Sequence, residues 1–299
     1  MTEPSSKLAI LIGSYNSHPT VEKCLTHLRQ QSKQDFQVYM FDSSPSAETE
    51  RIVQQFPEVV LVRSQQKTTS HIGRNYLVEH YPHAFYLCLD PDVYAEPDMI
   101  DQLMALHQAH PQAAIQGSIG CYGNRWLDWG IHFCKFGTFL PYRPAVLYRG
   151  AATACFAFTH EQWLATGGFE NKEQADYIFA LQLLDKGFEV LSHPNIIVYH
   201  HHLDSLGTFW KSRLQRGAMM GASRLKQEAW SVRRVWLWWF LSAFMIRLPI
   251  VCLRFGIHAA RAGYFWRYLW ALPIVILGFA SWIQGEANAY RDYLKGIPQ

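Results

Sequence analysis

Short apolar runs alternate with stretches of helical apolar spacing through the first 90 residues of the chain. The runs have the length of buried strands, and they cover residues 7–13, 36–41, 59–62 and 84–89. Between them, apolar residues three and four positions apart predict helices near 20–31, 47–56 and 72–80. Strands that alternate with helices predict a mostly parallel α/β sheet with helices on both faces.

The pattern becomes less regular after this alternation. Residues 113–160 are rich in Gly and aromatic side chains and predict irregular strands and loops. Further along, the sequence predicts a helix over 172–186, short strands at 190–191 and 196–199, and a basic helix over 205–227. The sheet-forming part of the chain therefore extends to about residue 230.

The remaining residues form an apolar, Trp-rich tail. Segments 235–253 and 264–283 approach the length that spans a membrane. Each is interrupted by an arginine and a proline: Arg247 and Pro249, then Arg267 and Pro273. We predict two regions, an α/β domain over 1–230 and an apolar helical region over 231–299.

The charges of this tail indicate whether its helices cross a membrane or lie at its surface. Arg254 and Arg261 lie in the linker between the two segments, and a translocated basic linker opposes the positive-inside tendency. Interfacial or re-entrant helices are therefore favoured over a two-span hairpin. The alternative is a tail that packs only on the α/β domain.

Composition narrows the class of protein. The chain of 299 residues is 49% hydrophobic and 17% charged, which suits a packed core. A net charge of +3 is too small to indicate a nucleic-acid partner. None of the six cysteines forms a Cys-x-x-Cys pair, and the polar N-terminus lacks the apolar region of a signal peptide. These features predict an enzyme at the cytoplasmic face of a membrane.

Polar residues follow the predicted strands at three places. Asn16, Asp42 and Asp90 each come after a strand, and the carboxyl ends of parallel strands share one edge where ligands bind. The tripeptide Asp90-Pro91-Asp92 directly follows a buried strand. Carboxylate pairs of this kind suit Mn²⁺ or Mg²⁺, which would neutralise a departing diphosphate.

Six segments carry a resemblance to the family-two inverting glycosyltransferases of the GT-A fold. They are ILIGSYNS (10–17), QVYMFDSS (37–44), GRN (73–75), FYLCLDPDV (85–93), GGFENKEQADYIFALQLLDKG (167–187) and VYHHH (198–202). The match extends over residues 7–217. It implies a GT-A fold and transfer of a hexose from a nucleotide sugar, usually a UDP sugar, to a hydroxyl group.

The resemblance also implies roles for individual residues. Those on the donor side are Ser14, Asn16, Asp42, Arg74, Asn75 and Asp90. Asp42 matches the residue that binds the base, while Arg74 is equally compatible with a buried structural role. Asp92 and His200 match metal contacts, although His201 and His202 leave the register open.

The same resemblance matches the general base and the acceptor side. Asp176 matches the carboxylate that deprotonates the acceptor, and Ala175 stands where the family usually has Glu. Gly168, Phe169 and Trp163 match the acceptor side, with core packing the alternative for Trp163.

The apolar tail predicts a lipid-linked or membrane-presented acceptor. Two other functions stay open. A nucleotidyltransferase would also bind a nucleotide and a metal, but the loop SYNSHPT lacks the basic, Gly-rich character of that class. A catalytically silent scaffold is the other, and Ala175 is the feature that favours it.

Overall fold

The computed structural model describes residues 8–142, 146–147, 150–172, 174–228 and 230–296. By packing, the chain forms two compact units. The sheet unit comprises Met1–Tyr122 and Pro141–His201, and the helical unit comprises Gly123–Leu140 and His202–Gln299. The helical unit is therefore larger than the region 231–299 predicted from the sequence, because two further segments pack with the apolar tail.

The sheet unit is built on one mixed sheet. Its strands are β1 (Leu8–Ser14), β2 (Phe36–Asp42), β3 (Val59–Arg63), β4 (Phe85–Leu89), β5 (Val93–Ala95), β6 (Ala113–Cys121), β7 (Val146–Leu147), β8 (Cys155–Thr159) and β9 (Glu189–His200). Their order is β3-β2-β1-β4-β8-β6-β9-β5, with β7 also paired to β9. The first four strands are parallel to one another, as the alternating pattern predicts.

Eleven helices lie in the described residues of the two units. They are α1 (Val21–Arg29), α2 (Glu48–Val53), α3 (Ser70–His80), α4 (Met99–Ala109), α5 (Trp126–Phe136), α6 (His160–Thr166), α7 (Ala175–Asp185), α8 (Leu206–Glu228), α9 (Val232–Ala243), α10 (Leu248–Arg261) and α11 (Phe265–Leu294). The predicted helices are confirmed with small changes at their ends.

Both faces of the sheet are buried. Ala9 and Leu11 of β1 pack in one cluster with side chains of α3 and α7. Ile10 and Ile12 point to the opposite face, because side chains alternate along a strand, and they are equally inaccessible. A strand buried on both faces reads as a continuous apolar run, which is the pattern of residues 7–13.

The expectation of an irregular region over 113–160 is wrong in its centre. α5 lies there, although its sequence WLDWGIHFCKF is rich in residues of low helix propensity. The helix is held by packing inside the helical unit. A Cβ on Gly130 would lie 2.3 Å from Ile274 of α11, and the Cys134 thiol lies 3.6 Å from the Val275 carbonyl.

The helical unit consists of α5 and α8 to α11. α11 is one continuous helix despite Pro273, so the predicted interruption there is wrong. α11 is long and apolar enough to cross a membrane, although half of its apolar window is buried within the protein. α9 and α10 pass the same test only as a pair, and they are bent by 76° at their junction.

The six cysteines are all free thiols. Five are buried, and only Cys252 on α10 is partly exposed.

Candidate active site

The ends of three neighbouring strands form the edge at which the predicted polar residues meet. Ser14, the last residue of β1, lies opposite Asp42, the last residue of β2. Leu89 lies opposite Ile12, which places Asp90 one step further along the same edge. The backbone N–H of Asn16 donates to Ser44 Oγ at 2.7 Å, so the loop after β1 joins the loop after β2. The prediction that Asn16, Asp42 and Asp90 converge is confirmed.

Asp90, Asp92 and His200 form a compact group with the donor set of a divalent-metal site. Their ligand atoms all lie within 4.8 Å of one another, and His200 Nε2 lies 3.5 Å from Asp92 Oδ2. The ladder between β5 and β9 creates this proximity, because Val93 pairs with His200. Two carboxylates and one imidazole suit Mn²⁺ or Mg²⁺.

The three successive histidines have different surroundings. His200 joins the aspartates, and the backbone N–H of His201 donates to the Asp92 carbonyl at 2.8 Å. The His201 ring lies against Tyr94, with Nδ1 2.9 Å from the phenol oxygen. His202 belongs to the helical unit, where its Nε2 lies 3.1 Å from His132 Nδ1.

Arg74 fixes the position of Asp90. Its side chain is fully buried, and Nη2 donates to the Leu89 carbonyl at 2.8 Å and to Asp90 Oδ1 at 2.6 Å. Burial opposes ionisation of Asp90, but Arg74 and His200 outweigh it and hold the pKa of Asp90 below its ordinary value. Of the two roles that the sequence leaves open for Arg74, this geometry favours the buried structural one, because the guanidinium is closed to solvent. A donor-side contact of Arg74 stays a prediction.

Asp42 is also fully buried, within a network of side chains. Ser14 Oγ lies 2.9 Å and Ser44 Oγ 2.6 Å from Asp42 Oδ1, while Arg63 Nη1 donates to Oδ2. Arg63 further donates to the Ser44 carbonyl at 3.2 Å and is the partly exposed partner of the ion pair. A base could reach Asp42 only if the Arg63 side chain moved aside, and the role of Asp42 in binding the base stays a prediction.

Arg63 was missing from the sequence-based site, although a signal for it exists. It is the last residue of β3 and pairs in register with Asp42. The rule that selected Asp42, a polar residue at the end of a parallel strand, selects Arg63 equally well.

Asn75 holds the turn before α7. Its Nδ2 donates to the Phe169 carbonyl at 2.7 Å, and its Oδ1 accepts from Phe169 N at 2.9 Å and Trp163 Nε1 at 3.1 Å. The amide is thus committed to backbone and indole partners. A donor-side role of Asn75 stays a prediction and would require the amide to exchange one of these partners.

The residues assigned to the acceptor side form part of the same structural unit. Phe169 is buried in the core, 4.6 Å from the ring of Phe179. Trp163 packs against this core and is half-buried. Gly168 is buried as well, and a Cβ there would lie 2.6 Å from Trp163 Nε1. Gly168 and Phe169 therefore shape the turn before α7, and their acceptor-side role stays a prediction.

Asp176 lies in the first turn of α7, half-buried, and its Oδ1 accepts from the Tyr177 backbone N–H at 2.9 Å. Burial raises the pKa of Asp176 above its ordinary value, and the negative charge of Asp90 adds to the rise. A carboxylate with a raised pKa is a stronger base, and this suits proton abstraction near neutral pH.

Ala175, which stands where the family usually has Glu, is a core residue. It is fully buried in the core cluster that contains Phe156 and Phe179. A glutamate at this position would place a charge among aromatic rings. The alanine at this position therefore contributes to the packing of the core.

A profile of the family described as "Glycosyl transferase family 2" matches residues 9–164, more than half of the chain. The protein belongs to this family and is a glycosyltransferase. No curated protein matches the chain by sequence.

Solved structures support the same GT-A fold. The mannosyltransferase PcManGT from Pyrobaculum calidifontis, in complex with GDP-Man and Mn²⁺, is 16% identical with a TM-score of 0.56, over 98% of this chain and 76% of that chain. S. aureus TarS in complex with UDP-GlcNAc is 12% identical with a TM-score of 0.57, over 97% of this chain and 92% of that chain. TarS in complex with UDP gives 13% identity and a TM-score of 0.54, with the same coverage.

Proposed function

We propose that the protein is a metal-dependent inverting glycosyltransferase that transfers a hexose from a nucleotide sugar to an acceptor hydroxyl. The observation that carries the proposal is the group of Asp90, Asp92 and His200 at the strand edge, with Asp176 close enough for its pKa to respond to Asp90. This edge thus combines a cation site with a separate carboxylate base.

Asp92 and His200 would hold Mn²⁺ or Mg²⁺, and Asp90 would lie on the ribose and sugar side. When bound, the ion neutralises the charge that develops on the departing nucleoside diphosphate. Arg74 keeps Asp90 ionised and fixes its orientation, because the buried guanidinium donates a hydrogen bond to Asp90 Oδ1.

Asp176 would accept the proton of the acceptor hydroxyl. The acceptor oxygen then forms the new bond to the anomeric carbon as the bond from that carbon to the diphosphate oxygen breaks. Attack from the side opposite the leaving group inverts the anomeric configuration. A single carboxylate base is sufficient for this reaction.

We assign uridine as the base of the donor. If Arg63 moves aside, Asp42 Oδ2 would accept from N3–H of uracil and the freed guanidinium would donate to O4. Thermal unfolding with UDP, TDP and GDP, each with Mn²⁺, tests the assignment. We expect UDP to raise the melting temperature most, and a larger rise with GDP would overturn it.

The acceptor is proposed to be lipid-linked or membrane-presented, with the enzyme at the cytoplasmic face of the membrane. The exposed apolar side chains of the helical unit support this location, since large apolar patches mark interaction surfaces. Sugar transfer to polyprenyl phosphates or glycolipids in vesicles, compared with transfer to soluble sugars, tests it. Equal rates on both classes would contradict the membrane acceptor.

The product of donor turnover tests the reaction class. We expect nucleoside diphosphate to accumulate with Mn²⁺, and Asp92→Asn to abolish this release. Asp98→Asn, at an exposed aspartate of the same region, is the matched control. Release of pyrophosphate would indicate a nucleotidyltransferase, and no release with any donor would indicate a silent scaffold.

A further inference from the structure

Three helices of the helical unit expose apolar side chains at helical spacing. The most prominent are Trp236 and Phe240 on α9, Ile250 and Leu253 on α10, and Trp266 and Trp270 on α11. Leu253 is 67% and Trp266 79% exposed. A helix that borders water normally turns its polar face outwards. Here the outward stripe is apolar, so this surface, which we name the apolar face, requires a partner.

The charges along the segment that carries the apolar face have one sign. Between Glu228 and Glu286 the sequence contains six arginines and no Asp or Glu. Arg254 and Arg261 are exposed on α10 at positions that share one side of the helix with Ile250 and Leu253. The exposed apolar stripes and the exposed arginines together fit a partner whose apolar interior lies beneath a negatively charged surface.

The bend between α9 and α10 is held by buried charge. Arg247, at the start of α10, donates to Ser242 Oγ of α9 at 2.8 Å and to the carboxylate of Glu286 on α11. Arg224 of α8 donates to the same carboxylate at 2.6 Å, and Glu286 is fully buried. The 76° bend is therefore fixed by side chains from four helices, and it prevents α9 and α10 from forming one straight span.

α11 is also unsuited to face lipid along its length. Beyond about Ile274 its side chains are largely buried, and Ser281 Oγ donates to the Trp210 carbonyl of α8 at 2.8 Å. Only its first turns join the apolar face.

We infer that α9, α10 and the start of α11 lie along an anionic phospholipid bilayer without crossing it. The apolar stripes enter the boundary between headgroups and acyl chains, and Arg254 and Arg261 contact lipid phosphates. The inference specifies the lipid surface for the membrane partner proposed above and rests on that proposal. Vesicle binding and donor turnover are separate measurements, so either can fail alone.

Flotation of the full chain with vesicles tests the apolar stripes. The wild type is expected to float with phosphatidylcholine vesicles that contain phosphatidylglycerol. Ile250→Ser combined with Leu253→Ser should weaken partitioning at least about tenfold, because each side chain loses its burial in lipid. Leu164→Ser removes a 62% exposed leucine of the sheet unit and should change nothing.

A second pair of variants tests the charges. Arg254→Gln combined with Arg261→Gln should weaken binding to phosphatidylglycerol vesicles by about fivefold for each arginine, with little change on pure phosphatidylcholine. Arg51→Gln, at an exposed arginine of α2, is the control. Equal loss on both lipids would overturn the role of the arginines.

Alkaline carbonate treatment separates a surface helix from a span. We expect carbonate to release the protein from membranes, and retention would overturn the inference. The inference would also be overturned if the wild type did not bind vesicles, or if the serine variants bound as tightly as the wild type. A dimer in solution that the serine variants dissociate would instead assign the apolar face to a second copy of the chain. Flotation without donor turnover would contradict the proposed function alone.

Discussion

At the residue scale, the carboxylate of Asp176 carries the most direct prediction. Asp176→Asn keeps the shape of the side chain but cannot accept a proton, so kcat should fall by about 10²–10⁴-fold. Donor binding should persist, because the metal group lies on other elements. Steady-state kinetics measures both, and Asp185→Asn, at the exposed end of α7, serves as control. An unchanged kcat would remove Asp176 from the reaction.

The raised pKa of Asp176 also predicts a pH dependence. The base must be ionised to act, and burial holds its pKa above that of an ordinary aspartate. Activity should therefore be full above this pKa and fall as the pH drops through it, with a midpoint higher than a free aspartate gives. The pH profile of kcat/KM measures the midpoint. A profile that stays flat through the acid range would contradict the assignment.

At the scale of elements, the turn between α6 and α7 tests backbone conformation. Gly167 and Gly168 both have φ of +79°, but a Cβ on Gly167 meets nothing within 4 Å. Gly167→Ala should lower the free energy of unfolding by about 1–2 kcal/mol, because alanine disfavours the left-handed conformation. Gly168→Ala should cost more, because Trp163 and Asn75 must also shift. Urea unfolding compares the two, and equal losses would contradict the steric argument.

The bend between α9 and α10 gives a second test at this scale. Glu286→Gln leaves Arg224 and Arg247 without their buried carboxylate, which should cost about 3–5 kcal/mol. Thermal unfolding in one detergent measures the loss. Glu161→Gln, at an exposed glutamate of α6, should leave the melting temperature unchanged. A stable Glu286→Gln variant would show that packing alone fixes the bend.

At the scale of the whole molecule, donor and metal binding should be linked. A ligand that binds only the folded state stabilises it by about 2.7 kcal/mol at 100 times its dissociation constant. UDP should therefore raise the melting temperature strongly with Mn²⁺ and weakly after EDTA treatment. Asp92→Asn should behave like the chelated wild type. If UDP stabilised the protein equally after EDTA treatment and in the Asp92→Asn variant, the metal site would be contradicted.

Much of the sheet unit was predictable from the sequence. Runs such as 7–13 are apolar throughout because the strand is buried on both faces, and polar residues at strand ends mark the edge. The helix α5 was not predictable, since its aromatic residues and Gly130 disfavour a helix until α11 packs against it.

The individual site roles depended on side-chain directions that sequence spacing leaves open. Arg74 and Asn75 are adjacent on α3, yet one reaches inwards to Asp90 and the other to the turn at Phe169. Three successive histidines gave no register, and the pairing of Val93 with His200 selected one of them.

The distribution of the cysteines has a practical consequence. Five thiols are enclosed in the fold, whereas Cys252 on α10 is partly open to its surroundings. A maleimide dye applied to the native chain should therefore label α10 first, without any engineered cysteine. The emission wavelength and quenching of that dye would report the surroundings of α10 during turnover, in the wild-type protein.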